Sequence, residues 1–134
     1  MKYKIIIILL FILLFPSCTN PTGNSNLHPL AGTWEMTEIK ITIGEQVTIV
    51  NSDDQNYEII TFNDDKTFVY VSKAYGLDES GNGTWSTNEG ELTAVSLEET
   101  VVWDYSISGN NLFLYTIMTI DNVTMLLEET FIKQ

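Results

Sequence analysis

The chain has 134 residues, a single cysteine, and six cationic residues against eighteen acidic ones, for a formal net charge of −12. All six cations are lysines, and so acidic a surface excludes nucleic acid as a partner, because binding it requires clustered Lys or Arg to displace phosphate counterions. One cysteine permits no internal disulfide and no cysteine-based metal cluster, so the fold has to be held by packing.

Lys2 and Lys4 precede an apolar run from Ile5 to Phe15, which is followed by Phe15-Pro16-Ser17-Cys18. This pattern resembles a bacterial lipoprotein signal, which implies that residues 1–17 are a signal peptide and that Cys18 carries a thioether-linked diacylglycerol. A spanning helix would need about 20 apolar residues, and Pro16 interrupts the run before that. Without the leader, four lysines face eighteen carboxylates, which disfavours anionic head groups. Membrane attachment is therefore expected through the acyl chains on Cys18, since two or more chains anchor stably. Residues 18–29 hold the lipidated cysteine and an Asn, Thr, Pro, Gly and Ser segment with the composition of a flexible tether. The expected location is the cell envelope, as an outer-membrane lipoprotein. No acidic cluster follows Cys18, so a periplasm-facing anchor is expected.

From residue 30 to 134 the chain reads as one all-β domain. Short runs rich in Val, Ile, Thr, Tyr, Phe and Trp alternate with Gly, Asn and Asp clusters, and no stretch has a helical period. Strands are predicted at Gly32 to Ile43, Gln46 to Val50, Tyr57 to Asn63, Thr67 to Ala74, Gly83 to Thr87, Glu91 to Leu97, Thr100 to Ile107, Leu112 to Ile120 and Val123 to Ile132. Short connections at Gly44-Glu45, Asp64 to Lys66, Asn88 to Gly90, Ser108 to Asn111 and Asp121-Asn122 make most neighbours hairpins. An up-and-down meander of eight or nine antiparallel strands is expected to close into a barrel, because a flat sheet would leave two open edges. In the first strand the apolar phase moves from Trp34 and Met36 to Ile39, Ile41 and Ile43, which predicts a β-bulge between them.

Four motifs follow one another along the domain: Leu30-Ala31-Gly32-Thr33-Trp34, Thr61-Phe62-Asn63-Asp64-Asp65-Lys66-Thr67-Phe68, Gly83-Thr84-Trp85, and Asn110-Asn111-Leu112-Phe113-Leu114. In this order, and behind a lipoprotein signal, they resemble the bacterial lipocalin-like lipoprotein domains. The resemblance implies a small barrel whose first strand opens with Gly32 and Trp34, the tryptophan plugging one end and the other end opening into a cavity. A tryptophan supplies about 200 Å² of apolar surface for such a seal. Two departures stand out. Lys66 occupies a turn position where related turns carry glycine, and the chain has no arginine of the kind that larger lipocalins lay over the sealing tryptophan.

No catalytic constellation, cofactor or metal is expected, and the chain is not read as an enzyme. His28, the single histidine, is expected to be a solvated residue at the end of the tether, outside the strands. The acidic pairs Asp53-Asp54, Asp64-Asp65 and Asp78-Glu79 fall in predicted turns, where Asp is common. Glu98-Glu99 and Glu128-Glu129 fall on strands, where neighbours point to opposite faces. Residues 51–56 carry the densest set of oxygen ligands but lack the glycine and distant glutamate of a calcium loop. Phe68, Tyr70, Trp103, Tyr105 and Tyr115 recur at strand spacing and are the candidate ligand-binding residues. With no arginine to meet a buried carboxylate, a small neutral hydrophobic or weakly cationic molecule is expected rather than a free fatty acid. Two functions stand side by side: a lipid-anchored module binding such a ligand in its barrel, and a structural or interaction lipoprotein with a solidly packed barrel. In the second, the acidic stretches 51–56 and 75–82 would meet an envelope protein partner.

Overall fold

The computed structural model describes residues 27–97 and 99–134. The leader, Cys18 with its expected lipidation and most of the proposed tether lie outside the described residues. Nine antiparallel strands follow in chain order: β1 (Gly32–Ile43), β2 (Gln46–Asn51), β3 (Tyr57–Phe62), β4 (Thr67–Ala74), β5 (Leu77–Asn88), β6 (Glu91–Ser96), β7 (Thr100–Ser108), β8 (Asn111–Ile120) and β9 (Val123–Lys133). Each strand from β3 to β9 pairs with the next, and β9 returns to pair with β1. Eight strands thus close a barrel. The ninth, β2, lies on the edge of β1 beyond β3 and extends the wall at one end: Glu38 to Ile43 pair with β2, while Gly32 to Glu35 pair with β3.

The expected bulge is present. The β1–β9 register slips between Met36 and Glu38, so Trp34 and Met36 on one side of Thr37 and Ile39 and Ile41 on the other all join the inward set. Thr37 is pinned there, its hydroxyl donating to the Thr130 carbonyl at 3.0 Å and its own carbonyl accepting from the Ser52 N–H at 3.0 Å.

Turn chemistry sets the hairpin registers. Tyr75-Gly76, Glu89-Gly90 and Asp121-Asn122 each have two consecutive residues at positive φ, the backbone of a two-residue turn whose twist matches the strands. The first of these corrects a boundary. The stretch 75–82 is not an outer loop but a tight turn followed by the first half of β5, with Lys73, Ser72 and Val71 paired to Asp78, Glu79 and Ser80. Asp, Ser, Gly and Asn have poor strand propensity, and the cross-strand ladder overrides it.

Lys66 is left-handed at φ 68°. That conformation costs a lysine about 1 kcal/mol. Several contacts offset it: the Lys66 N–H donates to the Asn63 carbonyl, the Trp85 N–H donates to the Lys66 carbonyl, and the ammonium sits 3.8 Å from the centre of the Trp85 ring.

The apolar core fills one half of the barrel. Trp34, Phe131, Leu30, Leu92, Leu112 and Leu114 are all but completely removed from solvent, and Met36, Phe62 and Trp85 pack with them. Trp34, expected to plug one end, is fully buried in this core, its indole N–H donating to the Leu30 carbonyl at 2.7 Å. Gly32, at φ 129°, leaves room for the Lys133 side chain, whose Cε a Cβ there would meet at 2.7 Å. Lys133 in turn places its ammonium 5.1 Å from the centre of the Trp34 ring. A lysine therefore supplies the cation over the sealing tryptophan that the lack of arginine seemed to leave out.

His28 is not a solvated tether residue. It is partly buried, its ring meets Trp85 edge-on at 5.1 Å, Nδ1 accepts the Leu30 N–H, and Nε2 shares a hydrogen bond with the Thr87 hydroxyl at 3.0 Å. Burial, with the charge of Lys66 adding, lowers its pKa below the ordinary histidine value. The ordered domain thus begins before Leu30, with His28 part of the seal at the closed end.

Candidate functional site

Beyond the core the barrel is hollow. A cavity of about 240 Å³ lies between Ile60, Phe62, Phe68, Tyr70, Ala94, Val101, Trp103 and Leu114, with Glu58, Ser72, Glu79, Ser96 and Glu99 toward its mouth. A second space of about 200 Å³ adjoins it under the β1–β2 extension. It is lined by Met36, Ile39, Ile41, Val50 and Leu127, shares Glu58 and Ser72 with the first, and is rimmed by Tyr57, Lys73 and Tyr75. Together they fall within the range of small-molecule sites, about 300 to 1,000 Å³.

The volume is created locally by small residues. Gly81 and Gly83 on β5 stand opposite Tyr70 and Phe68 on β4. A Cβ at Gly81 would meet the Tyr70 ring at 2.6 Å, and one at Gly83 would meet the Val95 carbonyl oxygen at 2.0 Å. With no side chains on that stretch of β5, the two rings lie against its backbone instead of filling the lumen. Ala94 and Ser96 keep the facing part of β6 low in the same way. Phe68 and Tyr70 stack with ring centres 6.3 Å apart, forming one continuous aromatic wall.

Of the five candidate ligand-binding residues, Phe68, Tyr70 and Trp103 line the larger cavity. Tyr105 packs against the core next to Trp103 but is not part of the cavity wall. Tyr115 is misplaced by the sequence pattern. On β8 the inward residues are Leu112 and Leu114, so Tyr115 takes the opposite phase and stands between Asp104 and Glu128. There it joins an outer ladder in which Lys40 forms an ion pair with Glu128.

Four carboxylates to which sequence reasoning assigns no functional role lie near the mouth: Glu79, Glu99 and Glu129 enter it only as members of acidic pairs, and Glu58 does not enter it. Glu58 precedes Ile60 and Phe62 in the inward set of β3. Glu129 holds the inward phase of β9 between Leu127 and Phe131, opposite Ile39 and Leu114. Glu79 and Glu99 stand on the cavity rim, and the Tyr70 hydroxyl donates to Glu79 at 3.3 Å. Burial pushes the Glu58 carboxyl up to about 8, with the charges of Glu129 and Glu79 adding to the effect. Burial likewise pushes Glu129 up to about 7. The period-two alternation that placed Ile60, Phe62 and Phe131 inside was the signal that placed these two glutamates with them.

The loop weighed as a calcium site is closed by its own backbone. Asp53 Oδ1 accepts the N–H groups of Gln55 and Asn56, each at 2.8 Å, which holds the Asp53 carboxyl below the usual range. Asn56 in turn accepts the Tyr75 N–H at 3.1 Å, tying this loop to the β4–β5 turn. Among the described residues, no three His, Cys, Asp or Glu side chains are grouped to hold a metal ion.

A closed antiparallel barrel, plugged by a tryptophan at one end and hollow at the other, defines a lipocalin-type architecture. Residues 30–114 match the family model described as a lipocalin-like domain, and the chain belongs to that family. No curated protein and no solved structure matches it.

Proposed function

We propose that this protein is a lipid-anchored envelope protein that holds a small hydrophobic molecule, neutral or weakly cationic, inside its barrel. The hollow half of the lumen carries the proposal. Its walls of Phe68, Tyr70, Trp103, Ile60 and Leu114 enclose about 240 Å³, and a handful of polar groups stand at one end, the usual make-up of a small-molecule site. A solidly packed barrel serving only a protein partner would leave no such space between Phe68, Trp103 and Leu114. The anchor at Cys18 rests on the resemblance of residues 1–18 to a lipoprotein signal, and the periplasm-facing location on Thr19 and Asn20 following it in place of an acidic cluster.

The neutral fluorophore N-phenyl-1-naphthylamine tests the cavity directly. We expect saturable binding with enhanced emission, abolished by Ala94→Phe, which fills the space, in a variant whose far-ultraviolet circular dichroism is unchanged. Equal binding by the folded Ala94→Phe variant would place the probe elsewhere and remove the basis for the proposal.

A further inference from the structure

Resting on that reading, we propose that the ligand is an organic amine bound as its cation, its ammonium group received by Glu58 and Glu129 and its apolar part by Phe68, Tyr70 and Trp103. The proposal starts from an imbalance of charge inside the barrel. Glu58, Glu79 and Glu99 line the larger cavity, and Glu129, at an inward position on β9 between Ile39 and Leu114, lies close enough to Glu58 to act on its charge. Among the described residues neither Glu58 nor Glu129 has a hydrogen-bond or ion-pair partner. Lys40 points outward and is engaged by Glu128, while Lys66 and Lys133 cover tryptophans at the closed end. Lys73, on the rim of the second space, is engaged by Asp78 at 3.4 Å.

A carboxylate in a lumen without a counter-charge is costly, so it is held toward its protonated form until a cationic partner arrives from outside. The surrounding chemistry selects the partner. Aromatic faces attract cations as well as apolar groups, so Phe68, Tyr70 and Trp103 suit the carbon skeleton next to an ammonium. A metal ion would need several oxygens converging on one point, whereas these glutamates are spread along the mouth. An anionic ligand would meet four carboxylates and no available cation. An arriving ammonium favours the ionised carboxylates, so its binding draws off the protons that burial makes Glu58 and Glu129 retain.

The test is calorimetric titration of the full chain with three probes of one skeleton: 4-phenylbutylamine, 4-phenylbutan-1-ol and 4-phenylbutanoate. At pH 8 we expect the amine to bind at least about tenfold tighter than the alcohol, and the acid to bind weakest. Amine affinity should rise from pH 6 to pH 8.5 as the pair gives up its protons, while alcohol affinity should not. Glu58→Gln and Glu129→Gln, each nearly isosteric, should erase the preference for the amine over the alcohol. Equal affinities for amine and alcohol, or a preference that survives both substitutions, would overturn this inference and leave the cavity-binding reading standing. Failure of all three probes while N-phenyl-1-naphthylamine still binds would do the same. If the fluorophore fails as well, both the inference and the reading on which it rests fall.

Discussion

Replacing Glu58 with glutamine should change how stability depends on pH. In the unfolded chain a glutamate titrates near 4.5, whereas in the barrel burial raises Glu58 to about 8 and Glu129 to about 7. A carboxyl whose folded pKa lies above its unfolded value keeps its proton in the native state after the unfolded chain has lost it. Stability from this source is therefore full below about pH 4.5 and is lost as pH rises through 7 and 8. Each fully shifted group changes stability by about 1.4 kcal/mol per pH unit within that window. Because the mouth admits water, we discount the full linkage value and expect Glu58 to account for a loss of about 2 kcal/mol between pH 5 and pH 8. Urea unfolding followed by tryptophan fluorescence at pH 5, 6.5 and 8 measures it. Glu58→Gln should flatten the curve and be the more stable protein at pH 8. Glu91→Gln, on the exposed face of β6, removes the same charge from the surface and controls for the global repulsion of so acidic a chain. A Glu58→Gln variant whose pH slope differs from the wild type no more than Glu91→Gln does would refute the placement of this carboxyl inside the barrel.

Other consequences follow from the closed end, the turn and the rim. Trp34→Ala should cost about 3–5 kcal/mol by opening the plug, read from the midpoint of denaturant unfolding. Lys133→Met keeps the aliphatic stem but loses the cation over Trp34, and should cost about 0.5–1 kcal/mol in the same assay. At the strained turn, Lys66→Ala should destabilise by about 0.5–1 kcal/mol because the cation over Trp85 is lost while the left-handed backbone remains. Lys66→Gly should be near neutral, because relief of that strain offsets the loss. Gly83→Ala forces a backbone clash with the Val95 carbonyl and should cost more than about 2 kcal/mol or prevent folding, whereas Gly81→Ala displaces the movable Tyr70 ring and should chiefly weaken fluorophore binding. Tyr75 and Leu77, 84% and 76% exposed beside the mouth, are placed to cover a bound molecule. Truncating both to alanine should shorten ligand residence in a competition experiment, and unchanged residence would remove them from any covering role.

Much of the barrel was legible because alternation and turn residues are local signals. Trp34, Met36, Ile39 and Ile41 revealed the bulge through a change of phase alone, and Gly44-Glu45 and Asp121-Asn122 marked their hairpins. The first half of β5 was hidden because Asp78 to Asn82 have loop-like propensities, and only pairing with β4 makes them a strand. His28 was misjudged for a related reason: a histidine beside a proline and a polar segment looks solvated until Trp85 and Thr87, nearly 60 residues away, are brought against it. At the site, Phe68, Tyr70 and Trp103 were found by aromatic spacing, and Tyr115 was drawn in by the same rule although its strand phase faces outward. Glu58 was passed over because charged residues are expected outside, and Glu129 was weighed only as half of an acidic pair, although both alternate with the inward Ile60, Phe62 and Phe131. Whether the inward side chains fill the lumen depends on Gly81, Gly83 and Ala94 standing opposite large rings, a relation between strands that no single segment contains.

The most direct test of a ligand-binding barrel is native mass spectrometry of the protein released gently from its own cell envelope, compared with the same sample after denaturation. The account predicts a stoichiometric mass excess, beyond any acyl modification at Cys18, that disappears on unfolding and is diminished in protein carrying Ala94→Phe. A native mass equal to that of the denatured chain, or one accounted for entirely by a second polypeptide, would contradict it.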